Sequence, residues 1–159
     1  MIILSIDPGF GRMGVAVIKK ENRGSKEELL YSNCFITDSK QNIYDRFLKV
    51  GQEINRVIKK YKPEVFAMEN LFMTNNQKTV MDVSQARGII IYEAKKAGLE
   101  VVEYTPPQIK IAVTGYGRAD KTQVYDMVKK LIKLERKKTF DDEIDAIAVG
   151  LTAFAHLRF

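Results

Sequence analysis

The sequence has a single cysteine, a single histidine and no long apolar run among its 159 residues. Cys34 has no partner for an internal disulfide, which fits a reducing cytosol, and it is most simply read as a strand residue without chemistry. Cys34 and His156 cannot form a zinc cluster, and neither a Walker lysine loop nor a serine nucleophile elbow occurs. We recognise no signal peptide, membrane span, repeat or low-complexity tract. We therefore expect one cytoplasmic domain over residues 1–159, with no membrane partner.

Positive charge is concentrated in one part of the chain. The net charge is +6, and residues 108–138 contain nine basic residues against three acidic ones, a surplus equal to that of the whole protein. A phosphate backbone would be attracted to such a surface at long range. A solvated lysine-rich helix face explains the same pattern, so this stretch alone does not decide between the two interpretations.

The order of the periodic segments predicts an α/β fold. Residues 1–6, 14–18 and 29–36 are predicted strands joined by short links, which indicates an antiparallel meander. An apolar helical face then runs from Ile43 to Tyr61, with Asp38 or Ser39 as its predicted N-cap. The predicted strand that follows, 65–69, implies a parallel crossover.

The second half of the chain alternates helices and strands. Residues 77–97 are predicted to form a long helix that ends at Gly98, and a strand (99–104) and a short helix beginning at Pro106 follow. Two more helices are predicted, the first capped by Asp120 and Gln123. The 77–97 helix has apolar residues on two sides, so it is either a central helix of the monomer or is covered by a partner.

Four acidic residues stand at the ends of these elements. Asp7 and Glu69 each close an apolar strand, and Asp142 and Asp145 open the last helix, three residues apart. Carboxylates gathered in one place resist desolvation and repel one another. If the fold brings these four together, the sequence predicts a site for one or two Mg²⁺ ions.

Each of these residues also has a simpler interpretation. Asp7 could belong only to a DPG turn, Glu69 could be an exposed strand tip, and Asp142 could form a capping box with Thr139. Asp145 is less easily explained in this way, because it begins a nearly uncharged helical stretch. Phe72 lies in a predicted loop after Glu69, where it could stack on nucleic-acid bases or tuck into the core.

Five segments resemble the RuvC family of Holliday-junction resolvases in the same order and at similar spacings. They are IDPG (6–9), MENLFM (68–73), QARG (85–88), GRADKTQV (117–124) and DEIDAIA (142–148). The resemblance implies an RNase H-like fold, with a five-stranded mixed sheet of three antiparallel and then two parallel strands flanked by helices. It also implies cleavage of four-way DNA junctions by a homodimer whose interface uses the 77–97 helix.

The resemblance further implies roles for individual residues. Asp7, Glu69, Asp142 and Asp145 would bind Mg²⁺ or Mn²⁺, with two ions per site expected. Lys110 and Lys121 would lie near the scissile phosphate. DNA contacts would come from the same two lysines, from Arg118 and from Phe72, the last against a base at the junction centre. Branch-migration proteins of the RuvA and RuvB type are implied as partners by family alone.

Two other functions stay open from the sequence. The Asp7-x-Gly9 turn after the first strand resembles the phosphate loop of actin-like and Hsp70-like ATPases, although those need two such domains to hold a nucleotide. A relative of the resolvase fold that binds nucleic acid without cutting it is the third possibility. The presence of all four acidic residues argues against that third interpretation.

Overall fold

A single mixed sheet forms the centre of the molecule. The computed structural model describes residues 1–70, 77–134 and 139–157, and in these residues five strands join in the order β3-β2-β1-β4-β5. The strands are β1 (Ile2–Asp7), β2 (Arg12–Lys19), β3 (Glu28–Ile36), β4 (Val65–Glu69) and β5 (Glu100–Tyr104). β1 to β3 pair antiparallel, whereas β1 with β4 and β4 with β5 pair parallel. This arrangement confirms the predicted mixed sheet.

Helices cover both faces of the sheet. The described helices are α1 (Ile43–Tyr61), α2 (Gln77–Lys96), α3 (Pro106–Thr114), α4 (Lys121–Leu131) and α5 (Asp141–His156). Ile3 and Ala67 belong to the core beneath α3, α4 and α5, while Leu4 and Phe66 belong to the core beneath α1 and α2. Neighbouring strand residues thus face opposite cores, as the pleat requires. None of these described helices combines the length and the apolar character needed to cross a membrane.

The start of α1 differs from its prediction. Neither Asp38 nor Ser39 caps this helix: the N-cap is Asn42, whose side chain accepts a hydrogen bond from the backbone N–H of Tyr44 at 2.8 Å. The carboxylate of Asp38 instead accepts from the backbone N–H of Lys40 at 2.9 Å, which closes a local turn. Because the Asp38 carboxylate accepts this bond within its own turn, it is not available to cap α1, which begins at Ile43.

The start of α4 and the end of α2 follow their predictions. Asp120 and Gln123 form a reciprocal capping box at the start of α4. Gly98 follows α2 with a φ of 81°, the left-handed conformation that favours glycine beyond a helix end.

Helix α5 lies unusually close to the sheet. Its residues 146–154 are all buried, and its first turn passes directly over β2 at Gly14. A Cβ atom at Gly14 would lie 1.8 Å from the backbone oxygen of Asp142, so only glycine permits this approach. Gly14 also pairs with Asp7 across the β1–β2 ladder. The close contact therefore brings the start of α5 to the end of β1.

We expect Gly14→Ala to lower the free energy of unfolding by about 3 kcal/mol, the upper end of the usual cost of overpacking, because the obstructing atoms are backbone. Urea unfolding would measure the change. Gly11→Ala is the matched control, since its new Cβ would meet only the end of the Arg46 side chain at 3.7 Å. Equal stability of the two variants would contradict the proposed role of this contact.

Candidate active site

One cavity at the carboxyl ends of the parallel strands contains three of the predicted acidic residues. Asp7, Glu69 and Asp145 line this space of about 400 Å³. Asp7 ends β1 and Glu69 ends β4, and these strands are parallel neighbours in which Ile6 pairs with Met68. The two carboxylates therefore meet at one edge of the sheet, where α/β proteins commonly bind ligands. Asp145 reaches the same space from the second turn of α5.

Two lysines from the flanking helices line the same cavity. Lys110 lies on α3 and Lys121 is the first residue of α4. The Nζ of Lys121 is 3.9 Å from Oδ2 of Asp145, and the lysine side chain is 83% exposed. An exposed ammonium at this distance is a loose ion pair that can move to another anion. The cavity therefore combines half-buried carboxylates with two lysines, of which Lys121 is exposed and only loosely paired.

Arg118 does not line this cavity, and Phe72 cannot be compared with it. Arg118 is exposed in the turn before α4 and is not among the described residues that line the cavity. Phe72 lies outside the described residues, so its predicted contact with a base stays a prediction.

Asp142 is oriented differently from the other three acidic residues. Both Nε and Nη2 of Arg12 donate hydrogen bonds to its Oδ2, the first at 3.1 Å. The thiol of Cys34 lies 3.7 Å from the same oxygen. The simpler interpretation of Asp142, a capping box with Thr139, does not hold: the N-cap of α5 is Phe140, and no side-chain hydrogen bond caps this helix. An arginine fork is a stronger partner for a carboxylate than a helix N–H group, which explains the difference.

Crowding and burial together make ionisation of this site costly. Burial, which is the largest cause, and the charges of Asp145, Glu69 and Asp142 together raise the pKa of Asp7 from its ordinary value of 3.8 to about 7, against the opposing effect of Lys121. Burial is also the main cause that raises the pKa of Glu69 and of Asp145. The negative charge of Asp142 thus reaches Asp7 although Asp142 is paired with Arg12. An additional positive charge would relieve all of these interactions.

The donor chemistry of the cavity fits a hard divalent cation. Asp7, Glu69 and Asp145 supply only carboxylate oxygens, which are the ligands that Mg²⁺ and Mn²⁺ prefer. Within the described ranges, no three His, Cys, Asp or Glu side chains already surround a metal-sized point. Binding a metal ion would therefore require these side chains to move closer together.

Sequence reasoning missed two residues of this region. Arg12 was not singled out, and Cys34 was interpreted as a strand residue without chemistry, yet both contact Asp142. Burial raises the pKa of the Cys34 thiol, so it approaches Asp142 as a neutral group. The one available signal was an arginine in the glycine-rich turn after Asp7. Nothing local to that turn indicates a partner 130 residues away.

The raised pKa of Asp7 predicts an unusual pH dependence of stability. Between 3.8 and about 7 the folded state binds a proton that the unfolded chain has released, so the free energy of unfolding should fall as pH rises through this window. In Asp7→Asn this fall in the free energy of unfolding with rising pH, on the order of a few kcal/mol, should be absent. Urea unfolding in metal-free buffer at about pH 5 and about pH 8 would measure this difference.

Asp38→Asn is the control for this measurement, because Asp38 is an aspartate of the turn before α1 whose hydrogen bond an amide oxygen can keep. The difference between wild type and Asp7→Asn reports on Asp7 and the acidic groups that interact with it, and it cancels the titration of groups elsewhere in the protein. If the difference in unfolding free energy between the two proteins stays constant with pH, or grows as pH falls, the raised pKa of Asp7 is contradicted.

Comparison with known proteins identifies the family. A family model described as crossover junction endodeoxyribonuclease RuvC matches residues 3–153. The RuvC proteins of Petrotoga mobilis and Thermosipho melanesiensis are 41% and 38% identical to this chain over 159 residues, which is all of this chain and 94% and 100% of those proteins. The solved structure of Thermus thermophilus RuvC in complex with a Holliday junction substrate is 28% identical, with a TM-score of 0.90 over 97% of this chain and 93% of that one.

These similarities extend over nearly the whole chain and confirm the RNase H-like fold that the sequence predicts. The chain therefore belongs to the RuvC family of crossover junction endodeoxyribonucleases.

Proposed function

We propose that this protein cuts four-way DNA junctions by metal-assisted hydrolysis at the cavity lined by Asp7, Glu69 and Asp145. The observation that carries the proposal is the presence of three half-buried carboxylates and two lysines around one space of about 400 Å³. Such a site can hold divalent cations and still attract a phosphodiester. Family membership gives the reaction, and the junction bound to the Thermus relative supports four-way DNA as the substrate.

The acidic residues are proposed as the metal ligands. Asp7, Glu69 and Asp145 would hold the ions from the cavity, and Asp142 would join them from the first turn of α5. When bound, Mg²⁺ or Mn²⁺, with two ions per site expected, supplies Lewis acidity toward the phosphate and a more acidic water. The raised pKa of Asp7 shows why such charge compensation is needed at neutral pH.

The protein side chains contribute positioning and charge. Lys110 and Lys121 lie on the neighbouring helices α3 and α4 at the cavity, where their ammonium groups would neutralise the phosphate as negative charge accumulates on it. The carboxylate of Asp7 would accept a hydrogen bond from the attacking water and orient it. Arg118, which is exposed before α4, would contact DNA beyond the cavity. A contact of Phe72 with a base stays a prediction from the family.

We infer that the active protein is a homodimer. On α2, Ile90 and Ala94 are fully buried against the sheet, whereas Met81 and Tyr92 are 63% and 61% exposed on another side of the same helix. A helix that is buried on one side and exposes large apolar groups on another fits a partner surface rather than a central helix. A two-fold dimer would present two cavities to a junction and so produce paired, symmetric nicks.

The other functions considered from the sequence are not favoured. The matches at about 40% identity are to crossover junction endodeoxyribonucleases and not to actin-like or Hsp70-like ATPases. A binding protein that does not cut has no need for buried, mutually repelling carboxylates. We propose that residues 1–159 form one nuclease domain, because both cores share the same sheet. Partners of the RuvA and RuvB type stay a prediction from the family.

Glu69→Gln should lower the rate of junction cleavage by about 10²-fold or more, because a neutral amide is a poor metal ligand. Junction affinity should be kept or slightly increased, since the variant repels phosphate less. Gel assays with a synthetic junction, with and without Mg²⁺, would measure both quantities. Glu64→Gln is the matched control: Glu64 is exposed and lies just before the opposite end of β4. Metal-dependent cutting by Glu69→Gln at the wild-type rate would defeat the proposal.

Tyr92→Lys should convert the protein from dimer to monomer and abolish paired nicking, because it places a charge in the proposed apolar interface. Sedimentation equilibrium would measure the mass in solution. Ile36→Lys is the control, since Ile36 is an apolar side chain of similar exposure, 56%, at the end of β3. A wild-type monomer, or a Tyr92→Lys variant that stays dimeric, would contradict the assignment of α2 to the interface.

A further inference from the structure

We propose that Arg12 is a positioning residue that holds Asp142 as its counter-ion away from the cavity, so that a divalent cation gains Asp142 as a ligand only by displacing Arg12. This inference rests on the proposed function of the cavity, and it concerns a residue that does not line it. It predicts that Arg12 weakens metal binding rather than supporting it.

The contact is a directed one. Nε and Nη2 of Arg12 both donate to Oδ2 of Asp142, and the thiol of Cys34 lies against the same oxygen. The ring of Phe140 lies 5.6 Å from the guanidinium carbon, which places the aromatic group beside the cation. The side chain of Asp142 is only 20% exposed, whereas that of Arg12 is 51% exposed. The carboxylate is thus confined while its partner has access to solvent.

Arg12 and Asp142 lie beside the cavity that Asp7, Glu69 and Asp145 line, but neither of the two lines it. Gly14 pairs with Asp7 across the β1–β2 ladder, and Arg12 lies two residues before Gly14 at the start of β2. Asp142 lies three residues before Asp145, which does line the cavity. Asp142 also raises the pKa of both Asp7 and Asp145 electrostatically, so it is near enough to affect the site.

Two effects of Arg12 then oppose metal binding. An oxygen that accepts two hydrogen bonds from a guanidinium must lose them before it can coordinate a cation, and the positive charge of Arg12 repels that cation. Arginine stays protonated at any physiological pH, so the pair does not open by losing a proton. Only an exchange of partners can release Asp142.

The opposite role would also be physically reasonable. Arg12 could hold Asp142 in the orientation that the metal needs, as a hydrogen-bonded neighbour of a metal ligand often does. In that case removal of Arg12 would weaken metal binding. Because the two roles predict changes of opposite sign, one measurement separates them.

The direct test is a titration of DNA-free protein with Mn²⁺, followed by the rise in Tm. For Arg12→Gln we expect the half-saturating Mn²⁺ concentration to fall by about three- to tenfold, with Arg12→Lys in between because lysine keeps the charge and loses the fork. Lys19→Gln is the matched control: it removes one positive charge from the other end of β2, where Lys19 pairs with Glu21 at 2.8 Å. This control should titrate like wild type.

A double variant shows whether the effect passes through Asp142. In an Asp142→Asn background, Arg12→Gln should change the half-saturating Mn²⁺ concentration by a clearly smaller factor, because only the direct charge repulsion by Arg12 is left to remove. The Mg²⁺ concentration for half-maximal junction cleavage should also fall in Arg12→Gln with Asp142 intact. Unchanged or weaker Mn²⁺ binding by Arg12→Gln, or an equal effect without Asp142, would overturn the inference.

Failure of this inference can be distinguished from failure of the proposed function. If wild type cuts junctions and Asp7→Asn loses Mn²⁺ stabilisation, but Arg12→Gln titrates like wild type, only the role of Arg12 is wrong. If wild type neither cuts junctions nor gains stability from Mn²⁺, the proposed function fails and the role of Arg12 fails with it.

Discussion

The burial of several carboxylates at one edge of the sheet is the constraint on which the rest of this molecule depends. Asp7 and Glu69 end parallel neighbouring strands, so the fold holds their carboxylates at the same cavity. The cost appears as a pKa of about 7 for Asp7. Proteins retain such an unfavourable arrangement of charges where function requires it. The two apolar cores beside the sheet supply the stability that offsets it.

Helix α5 connects this edge to the rest of the protein. Its residues 146–154 are buried against the sheet, which fixes the direction from which its first turns approach β1 and β2. The missing side chain at Gly14 then lets the backbone of Asp142 reach β2. Asp145 is brought to the cavity by the same packing. The placement of two acidic residues thus follows from apolar contacts made elsewhere along the helix.

The cations around the cavity differ in how firmly they are held. Lys121 is exposed and only loosely paired with Asp145, so its charge can follow a phosphate. Arg12 donates two hydrogen bonds to one oxygen of Asp142 and has an aromatic neighbour in Phe140. A loosely paired lysine fits the binding of a charged substrate, whereas an arginine held by two hydrogen bonds fits control of a single carboxylate. The difference between the two side chains is therefore part of how the site operates.

Local chemistry made most elements predictable. The strands that end in Asp7 and Glu69, the capping box of Asp120 with Gln123 and the end of α2 before Gly98 depend on short-range periodicity and turn geometry, which the sequence carries directly. The adjacency of Asp7 and Glu69 followed from the parallel pairing of their strands. The N-cap Asn42 was missed because several polar residues before α1 could have served, and only the turn at Asp38 decided among them.

The sequence by itself therefore determined the mixed sheet, the acidic strand ends and the resemblance to a nuclease family. Only the tertiary structure decided that Asp142 pairs with Arg12 and Cys34 while Asp7, Glu69 and Asp145 share a cavity. The physical reason is that a pairing across 130 residues depends on how closely α5 packs on β2, and that distance is set by the whole core rather than by any local pattern.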